Sequence, residues 1–308
     1  MITVTVLLAL LAALSNASAS VLQRRAAVQE RSKDGGADGT GPALRRFARL
    51  LRRPYWLAGA ALLAVSGLLQ AGALAMGSLS LVQPLLATEL LFTLLVGGVV
   101  FRRRPGLWTW LAFVALAAGL ALFLLAAAPG AGRATAPPRA WLLGGGGALG
   151  LVVLLLAAAR PTKGAPRAAL FGLASAVCFA ATAALLKEAV GRLGHGPAEM
   201  FTHWSPYATA GAGLVAFLLL QSALDAGSLT ASQPALTLGD ALTSVVLGWV
   251  LFAEAVHLGW RMLPEALGVA LIGAGSIGLA RAPAVGREWD TRSRDGKDTG
   301  RRLHRTHR

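Results

Sequence analysis

Long runs without a charged residue are the feature of this sequence that most limits its fold. Residues 56–86, WLAGAALLAVSGLLQAGALAMGSLSLVQPLL, contain no Asp, Glu, Lys or Arg. About 20 apolar residues span a bilayer as a helix, and in lipid the backbone must satisfy its own hydrogen bonds. Only 14% of the 308 residues are charged, against roughly 25% in ordinary soluble domains. The sequence therefore predicts an all-α membrane protein.

Hydropathy predicts nine transmembrane helices of this kind. They cover residues 2–22, 55–76, 78–101, 107–128, 140–159, 168–186, 205–224, 229–252 and 263–280. The first run ends in the small residues NASAS, which is also typical of a cleaved signal peptide. No basic segment precedes this run, however, and Arg24 and Arg25 follow it, so a retained helix is favoured.

The distribution of basic residues predicts an orientation. Alternate loops hold 24 of the 29 Lys and Arg residues: the linker 23–54, the loops after predicted helices 3 and 5, and Arg281 with the tail 282–308. Cytoplasmic loops are enriched in Lys and Arg. We therefore expect a multi-pass protein of the bacterial inner membrane with its N-terminus outside and a disordered, basic, cytoplasmic C-terminal tail. The same rule accounts for the net charge of +15 without a nucleic-acid partner.

An octapeptide that occurs twice predicts an internal repeat. GSLSLVQP at residues 77–84 returns as GSLTASQP at residues 227–234. The pattern divides the chain into a first transmembrane repeat at residues 1–128, a connecting fifth helix at residues 129–165 and a second repeat at residues 166–281. A single helix between two four-helix units inverts the second unit, and inverted repeats are the architecture of many secondary transporters.

The repeated octapeptide also predicts a site. Gln83-Pro84 and Gln233-Pro234 lie near the start of predicted helices 3 and 8. Proline lacks an amide hydrogen and disturbs a helix, and matched interruptions in two halves are pointers to a transport site. We expect the site at the membrane midplane between predicted helices 1, 3, 6 and 8. The alternative is that the glutamines only join helices.

Two acidic residues lie near the middle of predicted helices. Glu89 is in the third helix and Asp240 in the eighth, and a carboxylate at that depth must be paired, protonated or hydrated. Each is therefore a candidate proton acceptor or cation ligand. Asn16 and Gln70 are candidates for further polar contacts in the same cavity, with helix–helix hydrogen bonding as the alternative.

Other features are interpreted as structural. Glu188 and Glu254 fall at predicted helix ends, where we expect solvated carboxylates. The motif VALIGAGSIG at residues 269–278 matches a dinucleotide fingerprint, but no second strand or acid follows it at the required distance. Its glycines suit close helix packing in lipid. No catalytic constellation or cofactor motif is present, so we expect neither an enzyme nor a bound cofactor.

The second half resembles the drug/metabolite transporter superfamily, in particular its EamA-type repeat. There a proline-containing helix closes with a glycine and an acidic residue, positions held here by Gly248 and Glu254, and a glycine-rich helix follows. The nine-helix plan is also similar to the NIPA-type magnesium transporters. Their motif like Val-Thr-Pro-Leu corresponds to residues 82–85, but Gly67 and Gln70 stand where that branch has Glu and Asn.

The resemblance implies a secondary transporter that moves a small solute by alternating access. Proton coupling through Glu89 or Asp240 is a hypothesis that rests on the depth of these carboxylates in the membrane. Transport of magnesium or another divalent cation is the alternative within this class, and the missing acid at Gly67 counts against it. A membrane scaffold or regulator without transport activity is the alternative from another class. The expected partners are the bilayer and a small-molecule or ion substrate, and small-residue helix faces permit a homodimer.

Overall fold

The computed structural model describes residues 2–33, 54–100, 106–127, 130, 132–226, 229–255 and 262–280. Over these residues the chain is helical and contains no strand. Eight of its helical segments are long and apolar enough to cross a membrane. The chain is therefore an all-α, multi-pass membrane protein. The predicted disordered tail, and most of the linker 23–54, lie outside the described residues.

Eleven α-helices make up the described chain. In order they are α1 Ile2–Lys33, α2 Pro54–Met76, α3 Leu79–Leu86, α4 Glu89–Val100, α5 Leu107–Ala127, α6 Pro138–Ala159, α7 Ala165–Gly191, α8 Pro197–Thr202, α9 Ser205–Ala226, α10 Leu229–Phe252 and α11 Met262–Ala280. A single 3-10 turn, Arg192–His195, links α7 to α8. Helices α3 and α4 together form one candidate span.

The last predicted span differs in length from the other eight. Its apolar part, Leu263–Leu279, is shorter than the 18 residues that the other candidate spans reach. The helix as a whole has 19 residues. At 1.5 Å per residue, such a helix is about 28 Å long, close to the roughly 30 Å hydrocarbon core.

The two prolines of the repeated octapeptides have different effects. Each is the sixth residue of its helix, α3 or α10. Beyond Pro84 the chain leaves the helix at Ala87 and Thr88, whose amides donate i→i−3 bonds, and it restarts at Glu89. Beyond Pro234 the helix continues without a break. The prediction of matched interruptions is therefore met in the first half only.

Helix packing follows a regular plan. The most extensive contacts join α5 to α11, α1 to α2, and α7 to both α9 and α10. Helix α1 also contacts α3 and α4, and α10 contacts α3. One buried apolar cluster joins α1, α2, α3, α7 and α10, and a second is formed mainly by α4, α5 and α11. Helix α6 packs against α7 and, to a smaller extent, against α10.

The glycines of the dinucleotide-like motif lie in α11, a continuous helix that packs on α5. A Cβ atom at Gly275 would lie 2.5 Å from the Leu116 amide nitrogen, and one at Gly278 would collide with the Ala112 Cβ atom. Only glycine lets two helix backbones approach this closely. The interpretation of the motif as helix packing is confirmed.

Candidate functional site

A single cavity of about 560 Å³ gathers six of the eight residues predicted for the site. Its predicted polar lining residues are Asn16, Gln70, Gln83, Glu89, Gln233 and Asp240. They come from α1, α2, α3, α4 and α10. The remaining wall is supplied by α7, including Phe179, and by α9, including Leu220 and Leu224. The cavity therefore lies between the predicted helices, with α2 and α9 as additional walls.

The two predicted prolines do not line this cavity. Pro84 and Pro234 are buried in their helices, and each is preceded by a glutamine that does line it. The prolines belong to the framework that supports the cavity.

Glu89 occupies a favourable place for a carboxylate. It is the first residue of α4, directly after the Ala87-Thr88 turn. The amide groups of a first helical turn have no partner within the helix, and the helix dipole is positive there. The Asn16 amide also donates to Glu89 Oε2 at 2.6 Å. The break in the third span thus puts an acid at a helix N-terminus inside the bundle.

Two polar groups at the cavity have no hydrogen-bond partner among the described residues. They are Gln83 Nε2, a donor, and Asp240 Oδ1, an acceptor. Gln83 is only 4% exposed. Buried polar groups are normally satisfied, and leaving one unsatisfied costs roughly 1–3 kcal/mol. This pair of groups is what one expects of a site that receives a polar ligand.

The hydroxyl groups of the cavity wall are occupied by backbone bonds. Ser66 Oγ donates to the Ala12 carbonyl at 2.8 Å, and Thr182 Oγ1 donates to the Cys178 carbonyl at 2.7 Å. Thr237 Oγ1 donates to the Gln233 carbonyl at 3.0 Å. The hydrogens of these hydroxyl groups are therefore already used, and their oxygens can only accept further bonds.

The prediction that Glu254 is solvated is wrong. Glu254 is 1% exposed, and its Oε1 lies 2.6 Å from Lys187 Nζ. The same carboxylate accepts bonds from the amides of Leu79 and Ser80, at 2.6 Å and 2.9 Å, and from the Ser80 hydroxyl. Lys187 Nζ also donates to the Gly77 carbonyl at 3.1 Å. These five residues are called the 187–254 cluster below.

The local backbone around Glu254 explains how its carboxylate reaches α3. Helix α10 ends at Phe252, Ala253 is left-handed with φ 51°, and the Glu254 amide donates back to the Gly248 carbonyl at 3.1 Å. This is the pattern of a left-handed helix C-terminus. A Cβ atom at Gly248 would collide with both the Glu254 carboxylate and the Ser80 hydroxyl. The sequence signal for this cluster is the Gly248 and Glu254 pair.

Glu188 is also buried, contrary to the prediction. It is 1% exposed. Its Oε1 pairs with Arg192 at 2.8 Å, and its Oε2 accepts from the Ala136 amide at 2.7 Å. Glu254 and Glu188 each pair with a cationic side chain and accept a hydrogen bond from a backbone amide. Arg192 is only four residues from Glu188. The amide donors of both acids and the Lys187 partner of Glu254 come from distant parts of the chain, which the periodicity of α7 could not reveal.

The comparisons with known proteins show similarity without a function. The chain is 29% identical over 289 residues to an uncharacterised protein of Corynebacterium glutamicum, an alignment that covers 91% of this chain and 96% of the relative. No protein-family model matches the chain. No solved structure matches it either.

Proposed function

We propose that this protein is a secondary transporter of the drug/metabolite type that moves a small solute by alternating access. The observation that carries the proposal is the central cavity, where the acids and amides of both halves of the chain meet. Polar and ionisable side chains within transmembrane segments mark substrate and ion pathways. A membrane scaffold has no use for unsatisfied polar groups around a cavity of about 560 Å³.

The proposed architecture is two inverted four-helix repeats joined by α6, with α11 as the ninth span. Helices α3 and α10 begin 150 residues apart, at Leu79 and Leu229. The contact of α1 with α2 corresponds to that of α7 with α9, and α5 with α11 is a pairing between equivalent helices. This correspondence supports an inverted repeat.

The 187–254 cluster supports closure on one side of the cavity. Helix α3 begins at this cluster, whereas α7 and α10 end near it. It therefore joins the first half to the second on a single face of the membrane. In the proposed cycle the cluster closes this face while the cavity is open to the opposite face. The cluster separates when the cavity opens to this face.

Proton coupling is part of the proposal. Glu89 and Asp240 line the cavity, and neither forms an ion pair among the residues described. Such a carboxylate can exchange a proton for a substrate. Replacing both, as Glu89→Gln with Asp240→Asn, should abolish the pH dependence of transport. Unchanged pH dependence would remove proton coupling from the proposal.

Divalent-cation transport is a weaker second candidate. Its support is the pair of carboxylates at the cavity. The described residues contain no group of three or more His, Cys, Asp or Glu side chains that could hold a metal. Magnesium uptake in a bacterial strain without its own importers tests this candidate, with Glu89→Gln and Asp240→Asn compared at equal membrane expression. We expect no uptake.

Access from both sides of the membrane is the test of the proposal. In a Cys178→Ser background, which removes the single native cysteine, Leu186→Cys and Leu224→Cys place thiols on the cavity wall. An impermeant maleimide is applied to right-side-out or inverted vesicles. We expect each cavity cysteine to react from both faces over time, because the cavity opens alternately.

The matched control is Leu154→Cys, on a side chain of α6 that is 67% exposed on the lipid-facing surface of the bundle. This thiol should react from neither face. Cavity cysteines that react from one face only, under all ionic conditions, would contradict alternating access and favour a scaffold.

A further inference from the structure

We propose that the substrate is a small organic cation, an amine or a quaternary ammonium compound with an apolar body and a neutral hydrogen-bond acceptor. This inference rests on the proposed transport function and names the substrate class of the same cavity. Its positive charge would lie between Glu89 and Asp240, and its acceptor would meet Gln83.

Charge is the first argument. Two carboxylates line the cavity, and none of the described lining residues is Lys, Arg or His. The two fully buried acids elsewhere in the described bundle have protein cations: Glu254 has Lys187, and Glu188 has Arg192. A buried charge is normally paired. The acids of the cavity have no protein cation among its described lining residues, so their countercharge must come from a ligand or a proton.

Gln83 is the second, independent argument. Its side chain is 4% exposed, its Nε2 has no partner in the described part of the chain, and it lines the cavity. An amide N–H donates and cannot bind a cation directly. It therefore calls for an acceptor on the same ligand, such as a hydroxyl, ether or carbonyl oxygen. A bare ammonium ion lacks that group.

The apolar wall and the volume favour an organic ligand over a metal ion. Leu86, Leu90, Phe179, Leu220 and Leu236 supply apolar wall to a cavity of about 560 Å³. These side chains stabilise an apolar body by removing it from water, whereas a hydrated metal ion gains nothing from them. An anion or a zwitterion would bring a carboxylate that meets no cationic side chain among the lining residues. Phe179 is an aromatic residue of this wall, and aromatic rings attract cations.

The experiment measures ligand binding to the purified full-length protein in lipid nanodiscs. The probes are choline, benzyltrimethylammonium, the neutral choline isostere 3,3-dimethylbutan-1-ol, and magnesium alone. We expect both cations to bind and the neutral isostere to bind at least about tenfold more weakly, because it carries no charge for the two carboxylates to attract. Glu89→Gln and Asp240→Asn should each weaken choline binding by a similar factor, and Gln83→Leu should weaken choline more than benzyltrimethylammonium, which has no acceptor.

The matched control is Asp225→Asn, the same chemical change on an exposed residue near the end of α9. It should bind choline as the wild type does. Equal binding of choline and its neutral isostere, or no binding of either cation to the wild type, would overturn the inference. Magnesium binding that depends on Asp240 would also overturn it, in favour of the divalent ion. If the cavity cysteines still react from both faces, the transport proposal survives that failure, and the substrate class alone is wrong.

Discussion

Buried charges in this protein are of two kinds. Lys187 and Glu254 are 4% and 1% exposed, and they satisfy each other together with the backbone of Gly77, Leu79 and Ser80. Asp240 lines the cavity with one oxygen that has no partner among the described residues. The first kind holds helices together, and the second is available to a ligand. Single substitutions should distinguish these two kinds of buried charge.

Breaking the Lys187–Glu254 pair should destabilise the fold. Glu254→Gln leaves the buried Lys187 ammonium without a countercharge, which typically costs about 3–5 kcal/mol. We expect a clear fall in the midpoint of thermal unfolding in detergent. The double variant with Lys187→Met should recover part of the loss, because it removes the unpaired charge.

Glu199→Gln is the control for this prediction. The Glu199 side chain is 46% exposed, and its carboxylate is 3.6 Å from Arg192, so its removal should change stability by less than about 1 kcal/mol. A Glu254→Gln variant as stable as Glu199→Gln would show that the buried pair contributes nothing.

Asp240→Asn should not lower the thermal stability, in contrast to Glu254→Gln. The substitution removes a buried charge without breaking a protein hydrogen bond at Oδ1, so the variant should unfold at the same temperature as the wild type or higher. Transport should nevertheless fall at least about tenfold, in step with weaker substrate binding. Functional sites commonly retain groups that reduce stability. A variant that loses both transport and stability would indicate a structural role for Asp240.

At the scale of helices, the contact between α5 and α11 depends on residues without side chains. Gly275 leaves no space for a Cβ atom: besides the Leu116 amide nitrogen at 2.5 Å, the atom would meet the Ala112 carbonyl oxygen at 2.8 Å. Backbone atoms cannot rotate away, so a larger residue must push the helices apart.

Gly275→Val should therefore lower the thermal stability and the yield of folded protein. Overpacking of this kind typically costs about 1–3 kcal/mol. The control is Ala274→Val, one residue earlier on an exposed face of α11, which should be nearly neutral. Equal behaviour of the two variants would mean that the helices are not in close contact in the membrane.

The third span illustrates a limit of sequence patterns at the same scale. Two octapeptides with the same Gln-Pro pair lead to a broken span in one half and a continuous helix in the other. The break places Glu89 at a helix N-terminus and next to Asn16. In α10, the corresponding position is Gly239, against Leu173 and Ala176 of α7, and the helix continues.

For the whole molecule, the number of spans determines where the termini lie. Eight spans would place both termini on one side, whereas α11 as a ninth span places them on opposite sides. We expect a C-terminal green fluorescent protein fusion to be fluorescent, as in the cytoplasm, and an N-terminal epitope tag to be reached by antibody from outside. Both termini on one side would remove α11 from the spans and contradict the inverted repeat.

Much of the fold could be predicted from local properties of the chain. The eight candidate spans agree with the predicted segments to within a few residues at most ends, and the longer α7 span is the main exception. A span is recognised from the apolar character of about 20 neighbouring residues, and the bilayer imposes helix on all of them. The glycine pattern of α11 is equally local, and its role in packing was predictable for that reason.

The sequence by itself determined that the chain is helical, that it crosses a membrane repeatedly, and which polar residues are placed within its spans. Only the tertiary structure decided which of the acids has a countercharge. Glu254 meets Lys187 across a long separation in the chain, whereas Glu89 and Asp240 face a shared cavity. Glu188 has its cation, Arg192, four residues away, but its backbone donor at Ala136 is distant. Whether a carboxylate is paired depends on side chains from other helices, and hydropathy and periodicity describe one helix at a time.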